Sequence, residues 1–246
     1  YPWFVCLHVR EEGFRKNINC TSSNRNASIK NYYKAINLII KNGGCVVRIG
    51  DTTMTKLKPI DGLIDYANSK FNSELLDIYL VQHCKFYIGT SSGPLDLAAL
   101  FQKDIICTNS PVYTCYPCFT KKSIFLHKNV YKNDELLSLK DIISNIKKIE
   151  KPDQSGDTFE GYSQIENSEY ELFNSVKYYL EHQYLNEYNL SDLEIDYINF
   201  YKRCIEDYVL NLNFSSSLQE NTTQQKRLMI RILLAQGIMA HGIIFN

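Results

Sequence analysis

The sequence predicts an α/β fold: a parallel sheet covered by helices on both faces, followed by a mainly helical C-terminal region. Three observations lead there. Over the first 110 residues short apolar runs alternate with stretches of helical periodicity. Each run is compact and bounded by polar or glycine-containing turns, as strands buried on both faces are. The helical stretches carry start and stop signals of their own.

Residues 3–9 form the first apolar run and end in a polar turn. Ile29, Tyr32, Tyr33, Ile36, Ile39 and Ile40 then recur at helical spacing, and Gly43-Gly44 stops that helix. Residues 45–49 read as a second strand before Gly50-Asp51, and residues 63–67 as a weaker third. A helix over 73–83 starts on Asn72 or Ser73 as its cap. Residues 85–89 make the fourth strand. Pro94, favoured in a first helical turn, opens a helix to about Gln102. Residues 104–108 are the fifth strand. Residues 111–135 read as an irregular loop with one strand-like piece at 123–126, and a helix is expected over 138–148. The segment Lys151-Pro152-Asp153-Gln154-Ser155-Gly156-Asp157 reads as a linker. It divides the chain into a Rossmann-like domain, 1–150, and a helical region, 151–246, with helices near 168–182, 191–212 and 224–240.

The formal net charge is zero but unevenly spread. Residues 1–60 hold ten Lys and Arg against three Asp and Glu, and residues 150–220 hold fifteen acidic against four basic residues. A basic front suits a small anionic ligand, an acidic tail suits solvent or a protein partner, and nucleic acid is not an expected partner. Of the eight cysteines, Cys6, Cys45, Cys84 and Cys107 lie in or beside apolar segments. There a thiol behaves as a small hydrophobe, which points to a reducing, cytoplasmic setting. Cys115-Tyr116-Pro117-Cys118 has metal-like spacing but no companion ligands, so no metal is expected. The apolar run 228–245 contains Arg231, Gln236 and His241 and falls short of a span. It reads as a docking helix, for a protein partner or for the inner face of a membrane. The chain starts Tyr1-Pro2-Trp3 and enters a strand at once, which reads as a fragment lacking an N-terminal portion.

In a parallel sheet ligands bind beyond the carboxyl ends of the strands. Three polar clusters fall there: His8-Val9-Arg10 after strand one, Arg48-Ile49-Gly50-Asp51 after strand two, and Thr90-Ser91-Ser92-Gly93 after strand four. Arginine presents a planar fork of donors for phosphate oxygens. Thr90, Ser91, Ser92 and Gly93 supply hydroxyls and backbone N–H groups at a helix N-terminus, which favours anions. Gly93 allows close approach, and Asp51 suits ribose or base hydroxyls. Each cluster also has a structural reading. Ser-Ser-Gly-Pro caps a helix without any ligand, Arg48 pairs with Asp51 or Asp65, and His8 is a satisfied histidine in a half-buried strand. The segment from Glu11 to Asn26 reads as a flap over the ligand or as a solvated loop.

Four segments in order, Val5-Cys6-Leu7-His8-Val9-Arg10, Tyr33-Lys34-Ala35-Ile36, Val47-Arg48-Ile49-Gly50-Asp51 and Phe86-Tyr87-Ile88-Gly89-Thr90-Ser91-Ser92-Gly93-Pro94, resemble a bacterial group of glycosyltransferases of surface-polysaccharide synthesis. The His-x-Arg and Ile-Gly-x-Ser-Ser elements also resemble the fucosyltransferase superfamily, with its GT-B fold. The resemblance covers residues 1–110, with a weaker echo at Ile165-Glu166-Asn167-Ser168. It implies the nucleotide-sugar (donor) half of a GT-B enzyme, with Arg10 on the donor diphosphate and His8 beside it as the catalytic pair, and Arg48, Gly50, Asp51 and Thr90 to Gly93 binding the donor. The substrates it implies are a nucleotide sugar, such as a GDP-sugar, and a glycan acceptor; no cofactor is implied. Ser92-Gly93-Pro94 followed by Asp96-Leu97-Ala98-Ala99 is similar to the heptosyltransferase donor loop, which leaves the donor open. The expected activity is inverting, metal-independent glycosyl transfer. Two other readings compete: a nucleotide or sugar-phosphate binding module without turnover, and a sugar-nucleotide epimerase. Asp51 and Glu11 are the carboxylates within reach of a general-base role.

Overall fold

The computed structural model describes residues 1–15, 25–110, 120, 122–138, 141–142, 158–159 and 161–182. Six strands form one parallel sheet: β1 (Trp3–His8), β2 (Gly44–Arg48), β3 (Leu63–Ile64), β4 (Tyr87–Gly89), β5 (Ile105–Ser110) and β6 (Ile124–His127), in the order β3-β2-β1-β4-β5-β6. Four α-helices flank it: α1 (Tyr33–Lys41), α2 (Glu74–His83), α3 (Gly93–Leu100) and α4 (Glu169–His182). Every residue of β2 and β5 is buried, the state of strands covered on both faces.

Side chains alternate along a strand, and the two faces carry separate cores. Val5, Leu7, Val46 and Ile88 pack with Ile36 and Ile39 of α1 and with Leu172, Val176 and Tyr179 of α4. Cys6, Val47, Tyr87 and Ile105 pack with Val81 of α2 and with Leu95 and Ala98 of α3. Cys6, Cys45, Cys84 and Cys107 are buried free thiols among these apolar groups. Among the described residues no helix is long and apolar enough to cross a membrane.

The local signals act as the sequence requires. A 3-10 turn (Ile29–Tyr32) runs into α1, which ends where Gly43 adopts φ +82°. Ser73 caps α2 by accepting the Leu76 N–H at 3.3 Å. Ser168 and Glu171 form a reciprocal capping box for α4, with N–H to side-chain oxygen distances of 3.3 and 2.7 Å.

Two expectations change. The third strand has two residues only, because Asp65 turns out of the ladder and accepts hydrogen bonds from Arg48, Leu57 N–H and Asn68. The segment 111–135 contains more than one strand: β7 (Asn129–Lys132) and β8 (Glu135–Leu136) follow β6 and pair through Asn133 and Asp134, both at positive φ. With β9 (Thr158–Phe159) and β10 (Tyr162–Ile165) they build an antiparallel sheet ordered β8-β7-β10-β9. α4 packs into the core on one face of the sheet, where Leu172 and Val176 are 1% exposed. Apart from Ser138 and the helical residues 141–142, the helix expected over 138–148 lies outside the described residues. So do the linker, the Cys115–Cys118 motif, the helices expected near 191–212 and 224–240, and the run 228–245.

A buried polar network ties α1, β5, β6 and the start of α4 together. The Tyr32 hydroxyl lies 2.7 Å from Thr108 Oγ1 and accepts from Asn109 Nδ2 at 3.0 Å. Asn109 and Asn167 exchange backbone N–H to side-chain oxygen bonds at 2.7 and 2.6 Å, and Asn167 Nδ2 donates to the His127 carbonyl at 2.6 Å. Removing one partner leaves buried groups unsatisfied, so Tyr32→Phe is expected to lower stability by about 1–3 kcal/mol. Urea denaturation measures this; a change under about 0.5 kcal/mol, the scale of a surface substitution, would show that the network contributes nothing.

Candidate functional site

The strand order reverses direction between β1 and β4. Chains leaving these two strands turn to opposite sides, which opens a crevice beyond their carboxyl ends. Two of the clusters marked in the sequence meet there. Thr90 N–H donates to the His8 carbonyl at 3.1 Å, extending the β1–β4 ladder past Gly89. Thr90 is fully buried, and its Oγ1 accepts the Arg10 N–H at 3.0 Å. Ser92 Oγ lies 3.0 Å from His8 Nδ1 and donates to the Thr90 carbonyl at 3.1 Å.

A hydroxyl has one proton, so a Ser92 that donates to Thr90 accepts from His8 Nδ1–H. This fixes the tautomer and leaves Nε2 as the acceptor of the ring. His8 is 6% exposed. Burial, and then the positive charges of Arg48 and Arg10, push its pKa down to about 4 against the opposing pull of Asp51. His8 is therefore a neutral imidazole at pH 7, suited to receive a ligand hydroxyl. The positive charge of the site comes from elsewhere.

One source is Arg10, half-buried at the mouth of the crevice. A second is the N-terminus of α3. Ser92 occupies the cap position with an extended backbone, but its side chain makes no cap bond because it is turned to His8 and Thr90. Gly93 is exposed, and a Cβ built on it meets nothing within 4 Å. Ser91 is buried beside them. Arg25, where the chain returns toward α1, acts on Asp96 in the first turn of α3 and opposes the upward shift that burial gives that carboxyl. This edge thus gathers Arg10, Arg25, serine and threonine hydroxyls and the Gly93 N–H beside the Asp96 carboxyl, and its donors are of the kind a phosphate site uses.

The cluster after β2 divides. Gly50 stays at the site. Its φ of +143° suits glycine, a Cβ there would collide with Met54, and the same position lies 3.6 Å from the His8 ring. Asp51 also stays near His8, but Oδ1 accepts from the N–H of Thr53 at 2.8 Å and from its hydroxyl, an Asx turn within its own loop. Arg48 does not join them. It is fully buried, NH2 pairs with Glu11 at 2.8 Å, and NH1 pairs with Asp65 at 3.1 Å and the Thr55 carbonyl at 2.9 Å. Both terminal nitrogens of Arg48 are thus engaged within the protein, while its buried Nε has no partner. Glu11 Oε2 accepts from Thr55 N–H and Oγ1, both at 2.7 Å, so this carboxylate is held as well.

Sequence reasoning passed over Thr108, Asn109 and Ser110 at the end of β5, all 0% exposed. Their signal was the one already in use, polar residues directly after an apolar strand. Glu166 of the weaker echo accepts from Ser28 N–H at 2.8 Å and from Asn31 at 3.4 Å, which fastens the end of the loop after β1. Among the described residues no cluster of His, Cys, Asp and Glu has the makings of a metal site. No family model, no curated protein and no solved structure matches the chain.

The depressed pKa of His8 has a sign that can be checked. Unfolded histidine takes a proton below about pH 6.5, while folded His8 refuses it until about pH 4. Its share of stability is therefore complete above pH 6.5 and is lost as pH falls toward 4. NMR titration of the His8 ring should show a neutral Nδ1–H tautomer at pH 6, and His8→Asn should lose less stability than wild type between pH 7 and pH 5. A His8 that titrates near 6.5 would contradict this account.

Proposed function

We propose that the chain binds a nucleoside-diphosphate sugar in the crevice between β1 and β4 and transfers the sugar to a glycan acceptor, as the donor half of a GT-B glycosyltransferase. The observation that supports it most is the meeting of Arg10, Ser91, Ser92 and the uncapped N-terminus of α3 at the reversal of the sheet. The sheet order is that of dinucleotide-binding folds, yet the connection after β1 carries no Gly-x-Gly-x-x-Gly turn. The anion-binding helix N-terminus is accordingly that of α3, and the ligand is a mononucleotide diphosphate rather than a dinucleotide cofactor.

The reaction breaks the bond from the anomeric carbon to the diphosphate oxygen while an acceptor hydroxyl attacks the opposite face, which inverts the centre. Negative charge builds on the departing phosphate, where Arg10 and the Gly93 N–H at the start of α3 stabilise it. Neutral His8 accepts a hydroxyl of the bound ligand. The acceptor proton passes to a base carried by the acceptor half of the enzyme, since Glu11 and Asp51 are both engaged in hydrogen bonds of their own. That engagement also favours a second reading, a binding module without turnover.

Thermal shift with GDP, UDP, CMP and ADP tests the site, since a ligand at 100 times its Kd stabilises by roughly 2.7 kcal/mol. At least one nucleotide should raise the Tm. Arg10→Ala should weaken it by about 10- to 100-fold, the worth of a hydrogen bond to a charged group, with little change in the Tm of the free protein. No shift with any nucleotide, or a shift indifferent to Arg10→Ala, would sink the site. Binding without transfer to any acceptor leaves the module, and donor turnover with no acceptor points to an epimerase.

A further inference from the structure

We infer that Glu11, held by buried Arg48 and by Thr55, is a positioning residue that sets Arg10 for the phosphate; this rests on the anion site proposed above. Arg10 and Glu11 are neighbours in the chain, so fixing one restricts the other. Glu11 is fixed at both oxygens: Oε1 accepts from Arg48 NH2 at 2.8 Å, and Oε2 accepts from the N–H and hydroxyl of Thr55 at 2.7 Å each. Arg48 in turn is anchored by Asp65 and by the Thr55 carbonyl. On the other side the Arg10 N–H is held by Thr90 Oγ1, and its carbonyl accepts the Ala27 N–H at 3.0 Å. Both peptide groups of Arg10 are therefore tied down before any ligand arrives.

The packing agrees. Gly13, in the turn that follows Glu11, lies so close to Thr53 that a Cβ would sit 2.7 Å from the Thr53 carbonyl oxygen. The loop after β1 is thus seated on the loop after β2, with the Glu11–Arg48 pair at the seam. An ion pair this far from water, with side chains 0% and 15% exposed, adds little net stability compared with apolar residues of the same volume, because removing charges from water offsets their attraction. What such a pair supplies is a defined geometry, and the residue next to it is the arginine of the crevice. An arginine whose backbone is already set loses less backbone freedom when phosphate binds.

A double-mutant cycle tests this with inorganic pyrophosphate as the probe, read by calorimetry, alongside amide hydrogen exchange of the free protein. Glu11→Ala should weaken pyrophosphate about tenfold, roughly one charge-assisted hydrogen bond. In the Arg10→Ala background it should weaken pyrophosphate no further, because its effect passes through Arg10. Glu11→Asp keeps the charge opposite Arg48 but shortens the reach, and serves where Glu11→Ala does not fold. It should show the same non-additivity and faster exchange at the Arg10 and Ala27 N–H groups. Equal losses in both backgrounds, or unchanged exchange at those two groups, would overturn the positioning role. Failure of the anion site reads differently: pyrophosphate then binds no more weakly to Arg10→Ala than to wild type, or not at all, while the exchange result still decides whether Glu11 holds Arg10.

Discussion

β1 feeds β2 on one side of the sheet while β4 feeds β5 on the other, so the chains leaving β1 and β4 part. No connection can cross the edge between them, and the polar residues that end each strand are left facing one another. Thr90 turns this topological fact into chemistry. Its N–H continues the ladder to His8, and its buried hydroxyl must find a partner, which it does in the N–H of Arg10. The position of Arg10 therefore follows from the packing of the sheet core rather than from the loop that it opens.

The charges around the crevice divide their tasks by burial. Arg48 lies deep and is matched by two carboxylates, so its charge is felt by His8 but not offered to solvent. Arg10 lies at the mouth. A protonated His8 would place one more positive charge in a buried position beside both, and the ring stays neutral instead. Neutrality makes His8 an acceptor at Nε2 and a donor to Ser92 at Nδ1, so a neutral hydrogen-bonding ring and the positive charge of Arg10 stand within a few residues of each other.

Much of this was legible in sequence wherever the signal was local. Gly43 stops α1, Ser73 starts α2, and Ser168 with Glu171 starts α4, each through bonds within one turn. His8, Arg10, Thr90 and Ser92 were legible because a polar residue directly after a buried strand sits at the ligand edge by construction. Arg48 obeys the same rule but takes the structural reading that the sequence also offered, its pair with Asp65. Its other partner, Glu11, is 37 positions away, and a single sequence carries no mark of such long-range pairing. The Asn109–Asn167 exchange, 58 positions apart, was hidden for the same reason. The hairpin through Asn133 and Asp134 was visible as turn chemistry, but strands of two to four residues are too short to establish a period.

Of the α-helices α2, α3 and α4, each of which begins at a serine, α3 has a serine that does not cap. Ser73 and Ser168 accept N–H bonds from the first turns of α2 and α4. Ser92 has the cap backbone, at φ −168° and ψ 168°, yet gives its hydroxyl to Thr90 and its oxygen to His8. A side-chain cap contributes about 0.5–2 kcal/mol, and α3, at eight residues, is too short to stand on propensity alone. Burial of Leu95, Ala98 and Ala99 against the sheet holds it instead. Pro94 has no N–H to leave unsatisfied, and Leu95 N–H turns back to the Ser92 carbonyl at 2.9 Å. What remains is the positive end of a helix dipole with an exposed glycine in front of it and the Asp96 carboxyl one turn behind. The uncapped serine is the one that stands at the crevice, where an anion would complete the helix that the sequence leaves open.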